Sequence, residues 1–298
     1  GAVEAYMAHL VSSLGQDGSL EGLKVVIDCA NGAAFRTGPA SFAAQGAEVI
    51  PIHAEPDGLN INEKCGSTHL ESLIDKVLET GADIGSGVDG DADRCFVIDE
   101  TGSVVTPSVV TALIASQELA HEPGGTIVIN TITSRTVKEV VEEEGGHTEI
   151  SRVGHTYVKA AMAEHHAIFG GEHSAHYYFR EFWGADTGML AALHVLAMLG
   201  KSDEKLSQLV QRFDRYANSG EINSTVADAQ QTMNRVAEAF TGRGKVHFPD
   251  GLLVEGPDWW INLRPSNTEP LLRLNVEARE SEHMVALRDE VLALVRGE

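Results

Sequence analysis

Apolar residues at Val3, Tyr6, Met7, Leu10, Val11 and Leu14 recur at helical spacing, so the chain opens on a helix with no capping residue before it. Gln16-Asp17-Gly18-Ser19 then reads as a short linker. From Leu23 the pattern is that of βαβ units. Lys24–Cys29 is a buried strand, Arg36–Gln45 a helix, Glu48–His53 a strand, Leu70–Glu79 a helix and Asp83–Val88 a strand. The polar run Asp89–Arg94 separates that strand from a hairpin, Cys95–Asp99 with Ser103–Val105. A second round predicts a helix over Thr106–Ala120, opened by Thr106 and Pro107, then strand Thr126–Asn130, helix Arg135–Glu144, strand Thr148–Arg152, helix Thr156–Glu164 and a short strand Ala167–Phe169. A long apolar helix, Asp186–Leu199, follows with Asp186 or Thr187 as its cap.

After the polar stretch Lys201–Lys205 the pattern changes. Leu206–Tyr216 and Val226–Phe240 read as helices, Lys245–Phe248, Gly251–Glu255, Trp259–Leu263 and Leu271–Glu277 as closely spaced strands, and Ser281–Val295 as a closing helix. The expectation is an α/β fold: two tandem βαβ-type α/β domains, 15–105 and 106–217, followed by a smaller α+β domain with an antiparallel sheet, 218–298. The repeated βαβαβ order suggests a duplicated unit with weak residue-level similarity.

A length of 298 residues suits about two domains at ~150 residues each and needs neither disulfide nor structural metal to hold a core. Acidic residues number 44 against 22 basic ones, a net charge of −22 that opposes nucleic acid and anionic membrane surfaces. No stretch approaches the ~18 apolar residues of a membrane span, and Gly1-Ala2-Val3-Glu4 carries no signal-peptide n-region. Cys29, Cys65 and Cys95 are odd in number and lack CxxC spacing, which points to a reducing cytoplasm.

Three loops carry candidate chemistry. Asp89-Gly90-Asp91-Ala92-Asp93-Arg94 places three carboxylates at alternate positions after a buried strand. Carboxylates ~4 Å apart repel by ~4 kcal/mol at an effective dielectric of ~20, and a hard cation such as Mg²⁺, Mn²⁺ or Ca²⁺ relieves this. The alternative is a solvated acidic turn. An EF-hand loop, with Glu100 as its last ligand, is disfavoured by Arg94 where that loop needs Gly and by flanking strands. Gly170–His176 offers Glu172 and Ser174 on one side of a loop, a pair suited to vicinal sugar hydroxyls, or else forms a Gly-rich turn. Its histidines, His173 and His176, match no zinc spacing. Arg264-Pro265-Ser266-Asn267-Thr268-Glu269-Pro270 offers a guanidinium, hydroxyls and backbone N–H groups to a phosphate dianion, or is a β-turn between strands. His155 sits at a strand-to-helix junction, where helix N–H groups can face an anion. Trp259-Trp260 reads as sheet packing, and Asn31-Gly32 and Asn60-Ile61-Asn62 as turns.

With these loops in this order, the chain resembles the α-D-phosphohexomutase superfamily of phosphomannomutases, phosphoglucomutases and phosphoglucosamine mutases. Asp89–Arg94 is similar to its metal loop DGD[GA]DR, Gly171–His176 to its sugar loop GE[MHQ]S[GA]H and Arg264–Pro270 to its phosphate loop RxSNTxP. The family has four domains, the first with a catalytic phosphoserine in a T-[AG]-S-H-N-like motif that has no counterpart among these residues. The resemblance therefore covers domains two to four, with 1–14 as the terminal helix of a first domain. It implies Asp89, Asp91 and Asp93 as ligands of one Mg²⁺, with Arg94 near the transferred phosphoryl group and His155 close to the sugar. Glu172 and Ser174 would contact sugar hydroxyls, while Arg264, Ser266, Asn267 and Thr268 would hold the substrate's other phosphate.

The implied reaction interconverts hexose 6-phosphate and hexose 1-phosphate through a glucose or mannose 1,6-bisphosphate. This chain alone is expected to be inactive, because the nucleophilic serine lies in the first domain. Glu172–Tyr178, Arg180 and Ala185–Gly188 resemble the mannose/glucose enzymes, whereas Gly58–His69 resembles the phosphoglucosamine mutases. A non-catalytic module binding Mg²⁺ and a phosphosugar, and a metal-dependent phosphohydrolase, are the rival classes. The expected partner is a phosphosugar, with neither nucleic acid nor membrane, in the cytoplasm.

Overall fold

The computed structural model describes residues 1–13, 19–266 and 269–297. Helix α1 (Ala2–Ser12) leads into the first sheet, made of β1 (Lys24–Asp28), β2 (Glu48–Ile52), β3 (Ile84–Val88), β4 (Cys95–Asp99) and β5 (Val104–Val105). Their spatial order is β2-β1-β3-β4-β5; β1 is parallel to β2 and β3, while β4 runs antiparallel to β3 and β5. Helices α2 (Ala34–Ala44) and α3 (Glu71–Thr80) make the crossovers.

The second sheet repeats this plan with β6 (Thr126–Asn130), β7 (His147–Ser151), β8 (Phe169–Gly171), β9 (Tyr177–Phe179) and β10 (Ala185–Asp186). Its order is β7-β6-β8-β9-β10 read from the corresponding edge, with the same parallel and antiparallel pairs. Its crossovers are α5 (Arg135–Glu143) and α6 (His155–Glu164). The duplication suggested by the sequence is therefore a duplication of topology.

Each central strand buries both faces. Val25 and Ile27 of β1 join Ile127 and Ile129 of β6 in one large core, whereas Val26 and Val128 turn to the outer faces, under α3 and α6 respectively. Two helices bind the units together. Helix α4 (Pro107–His121), which follows the first sheet, packs against β8 of the second, and α7 (Gly188–Gly200), which follows the second sheet, packs back on β3 and β4 of the first. Both start as expected, α4 with Thr106 Oγ1 accepting from Val109 N and Pro107 in the first turn, α7 with Thr187 Oγ1 accepting from Leu190 N. Asp186, the alternative cap, is instead the last residue of β10.

The third unit is antiparallel throughout. Strands β11 (Ala217–Asn218), β12 (Ile222–Thr225), β13 (Lys245–His247), β14 (Leu252–Glu255), β15 (Trp259–Pro265) and β16 (Leu271–Ala278) form a sheet of order β11-β16-β15-β14-β13, with β12 also on β16. Helices α9 (Ala229–Ala239) and α10 (Ser281–Arg296) cover it around a separate core of Val236, Phe240, Ile261, Leu274 and Val291. Helix α8 (Leu206–Gln211) ends before the predicted Tyr216. Phe213 O accepts from Thr136 Oγ1 and Tyr216 O–H donates to Glu139, so α5 offers the segment better partners than another helical turn. Helix α9 starts three residues later than predicted, because Asp228 caps it by accepting from Gln231 N at 2.9 Å.

Candidate active site

The two acidic loops occupy equivalent places in the duplicated units. Residues 89–94 join β3 to β4 and residues 172–176 join β8 to β9, each at the end of a buried parallel strand. Backbone contacts stitch them together: Cys95 N donates to Ala175 O at 3.2 Å, Arg94 and His176 form an isolated bridge, and Gly188 N donates to Ala92 O at 2.9 Å. Ala92 and Ala175 both have positive φ, 64° and 67°, and so turn each loop back on itself.

Asp89, Asp91 and Asp93 each present a carboxylate oxygen within 4.8 Å of the others. Asp89 is buried; its Oδ1 accepts from Arg94 N at 3.2 Å, and its Oδ2 lies 2.6 Å from Arg94 Nε. Burial, then the charges of Asp89 and Asp91, push the Asp93 carboxyl up to about 7. Three carboxylates beside one arginine leave the loop net negative, and an all-oxygen set fits a hard divalent cation. Glu100, the remaining ligand of an EF-hand, is committed elsewhere: it accepts from Ser207 N and Oγ at the start of α8.

Among the described residues, Asp93, His176 and Asp186 also converge. His176 Nε2 lies 3.5 Å from Asp93 Oδ2, and burial holds its imidazole below the usual range, so it stays neutral beside the carboxylates. A third group, Asp28, His53 and Cys65, serves as a latch rather than an ion cage. Asp28 Oδ1 accepts from Ala30 N and Oδ2 from Gly66 N, both at 2.9 Å, fixing the turn whose Ala33 N donates to Gly90 O in the metal loop. All three cysteines are free and buried, and burial pushes Cys29 and Cys95 up to about 12, so neither is a nucleophile at neutral pH.

The second loop is built around Glu172, which is 2% exposed. Its carboxylate accepts from Tyr178 O–H at 2.6 Å, Gly154 N at 3.0 Å and Asn130 Nδ2 at 3.4 Å. Ser174 is exposed, with its Oγ 2.9 Å from His176 Nδ1. His155 opens α6 and is exposed; it stands one residue from the Gly154 contact to Glu172. Lys159 Nζ, a turn further on, reaches Asp186 at 2.8 Å. His176, Tyr178, Lys159 and Asp186 were not among the candidate site residues, although His176 and Tyr178 lie in the stretch Glu172–Tyr178 and Asp186 in Ala185–Gly188; only Lys159 lies outside every motif.

In the third unit Arg264, expected at the start of a loop, is the penultimate residue of β15, is 8% exposed, and pairs with Glu221 at 3.3 Å. Ser266 Oγ accepts from Arg273 Nη2 at 3.3 Å. Asn267 and Thr268 lie outside the described residues. The sugar loop meets this unit through His173, which is half-buried and lines a small cavity with Asn218, Gly220 and Asn275. Arg135 fastens the same junction: its N donates to Glu277 Oε1 at 2.9 Å and its guanidinium to Gly256 O and Pro257 O.

A duplicated α/β unit carrying paired acidic loops, followed by an antiparallel domain with an arginine loop, places this chain in the phosphoglucomutase/phosphomannomutase family, to which it belongs. The family's alpha/beta/alpha domain II matches residues 4–102, its alpha/beta/alpha domain III residues 106–216 and its C-terminal domain residues 221–294. The chain is 36% identical over 312 residues to the phosphoglucosamine mutase of Cutibacterium acnes, covering 99% of itself and 64% of that protein. It is 37% identical over 309 residues to the phosphomannomutase of Escherichia coli, covering 99% of itself and 67% of that protein. A phosphoglucomutase/phosphomannomutase family protein from Burkholderia thailandensis superposes with a TM-score of 0.88 at 28% identity, over 99% of this chain and 64% of that one. The N-acetylphosphoglucosamine mutase of Aspergillus fumigatus, solved with GlcNAc-6P and magnesium, shares the fold at a TM-score of 0.73 and 14% identity, over 99% of this chain and 66% of that one. The chain thus spans just under two thirds of the first of these relatives. Among the described residues, no helix is long and apolar enough to cross a membrane.

The Asp93 carboxyl gives a test of the metal loop. A group that keeps its proton up to about pH 7 when folded, but only up to about pH 4 when unfolded, stabilises the fold below pH 4 and loses that contribution as pH rises through 7. Asp93→Asn is therefore expected to match wild type near pH 4 and to exceed it at pH 8 by about 1–2 kcal/mol, a figure discounted for partial exposure. Urea unfolding at both values, in EDTA, checks this. Mg²⁺ added at pH 8 should raise the wild-type midpoint and leave the variant's unchanged. A variant shifted equally at both pH values would disconnect Asp93 from the loop's charge.

Proposed function

We propose that the chain forms the metal-, sugar- and phosphate-binding part of a Mg²⁺-dependent phosphohexomutase interconverting hexose 6-phosphate and hexose 1-phosphate, with mannose and glucose as its sugars. The observation that supports this most is the joining of the Asp89–Arg94 loop to the Glu172–His176 loop by backbone hydrogen bonds. That joining gives a cation site and a sugar site one common frame.

In this reading Asp89, Asp91 and Asp93 would hold one Mg²⁺, which supplies electrostatic stabilisation of the phosphoryl group in transfer. Arg94 stands beside them to share that charge. Glu172 and Ser174 orient the sugar ring, with His155 nearby, and Arg264, Ser266, Asn267 and Thr268 grip the phosphate that is not reacting. A phosphoserine supplied from outside these residues would donate its phosphoryl group to a sugar hydroxyl, giving a hexose 1,6-bisphosphate, and the freed serine hydroxyl would then take back the other phosphoryl group. Glucosamine phosphate is the second reading for the sugar, favoured by the similarity to the Cutibacterium acnes phosphoglucosamine mutase.

Arg264→Lys keeps the charge but loses the fork, so affinity for glucose 1-phosphate is expected to fall roughly tenfold. NMR titration measures it, with glucose as the control that the substitution should leave untouched. Equal affinities would reduce Arg264–Pro270 to a turn. Titration with mannose 1-phosphate and glucosamine 1-phosphate ranks the sugars. The pure chain should neither interconvert these phosphosugars nor release phosphate from them; release of inorganic phosphate would favour a hydrolase that uses water at the Asp loop, and interconversion would overturn the need for an outside phosphoserine.

A further inference from the structure

Arg264 and Arg273 are cross-strand partners on β15 and β16, a placement in which like charges repel. One carboxylate answers both. Glu221 Oε2 lies 3.3 Å from Arg264 Nη2, and Glu221 Oε1 lies 3.2 Å from Arg273 Nη1. Arg273 Nη2 also donates to Ser266 Oγ at 3.3 Å, which ties the second guanidinium to the candidate phosphate loop, and Glu269 stands 3.9 Å from that nitrogen. His173 lies close by, and burial holds its imidazole below the usual range, so it adds no charge at neutral pH.

The bridge is loose. Glu221 gives each guanidinium a single oxygen, at distances longer than the ~2.7–2.9 Å of a strong charge-assisted bond. Meanwhile Arg264 Nε and Arg273 Nε are buried with no acceptor among the described residues. Two arginines with donors to spare therefore share one carboxylate that uses neither fork.

We propose that Glu221 is a built-in competitor at the phosphate site: it holds the Arg264–Arg273 pair until a phosphate displaces it, and so lowers the affinity of that site for every anion. This rests on the reading of Arg264 as a phosphate ligand. An incoming monoanion offers the arginines no more charge than Glu221 already does, and it also loses translational freedom on binding. A dianion brings twice the charge and three acceptor oxygens, enough to engage the forks that Glu221 leaves open. The Glu221 side chain is 30% exposed, so it has solvent to turn into.

The test compares methyl phosphate, a dianion at pH 8, with dimethyl phosphate, a monoanion with the same tetrahedral centre, by NMR titration of the whole chain. Wild type should bind the dianion at least tenfold more tightly. Glu221→Gln should tighten both ligands at least threefold and by similar factors, because a displaced competitor costs each ligand the same. Glu221→Asp retains the charge and should keep affinities near those of wild type, which a purely structural role would not require; unfolding midpoints confirm that both variants fold. Unchanged or weakened affinity for both ligands in Glu221→Gln overturns the proposal while leaving the phosphate site standing. If wild type binds neither ligand, or Arg264→Lys leaves methyl phosphate affinity unchanged, the phosphate reading fails and takes this inference with it.

Discussion

Glu172→Ala is expected to destabilise the protein by about 3–5 kcal/mol, far beyond the usual effect of a loop substitution. The carboxylate is the common acceptor for Tyr178 O–H, Gly154 N and Asn130 Nδ2, and both Tyr178 and Asn130 are buried. Its removal strands three donors away from water, at about 1–3 kcal/mol each before relaxation. Ser174→Ala, two residues along the same loop but exposed, should cost no more than about 0.5 kcal/mol. Urea unfolding followed through the second unit separates the two. Both variants should lose affinity for a phosphosugar, so comparing stability with binding distinguishes the residue that builds the loop from the one that only lines it. A Glu172→Ala protein as stable as Ser174→Ala would mean that the buried acceptor is not what holds the sugar loop.

Gly188→Ala should cost about 3 kcal/mol, the upper end of overpacking penalties, and should also weaken Mg²⁺ binding. An added Cβ would stand 2.3 Å from Arg94 O and 2.5 Å from Arg94 C, so backbone rather than a flexible side chain must move. Gly188 is the first residue of α7, where alanine is otherwise an excellent helix former. Propensity alone therefore predicts a gain, and the contact with the metal loop predicts a loss. Thermal unfolding with and without Mg²⁺ decides: a variant at least as stable as wild type, with its Mg²⁺ response intact, would show that α7 does not set the position of the loop.

Much of the molecule was legible locally. The buried central strands, the α4 cap at Thr106 and the loops at Asp89–Arg94 and Glu172–His176 lie where apolar runs, turn residues and carboxylate spacing put them, whereas Arg264, expected in a loop, lies in β15. What escaped was short or distant. Tyr177–Phe179, Ala185–Asp186, Ala217–Asn218 and Ile222–Thr225 are strands of two to four residues, too brief for a period of two to register, and pairing with longer neighbours makes them strands. Glu221 escaped for another reason: nothing in Gly220-Glu221-Ile222 marks it as the partner of an arginine 43 residues away.

The sequence by itself determined the two βαβ rounds, the antiparallel third unit, and the residue types of the acidic, sugar and arginine loops. Periodicity and spacing are local records of which face is buried and which groups are near neighbours in the chain. They do not say against what that face is buried. Only the tertiary structure decided that α4 leaves the first sheet for the second and α7 returns to the first, which brings Gly188 onto Arg94 and joins the metal loop to the sugar loop. Only tertiary structure, likewise, set one carboxylate between Arg264 and Arg273, because long-range apposition depends on how whole elements pack rather than on the residues beside each charge.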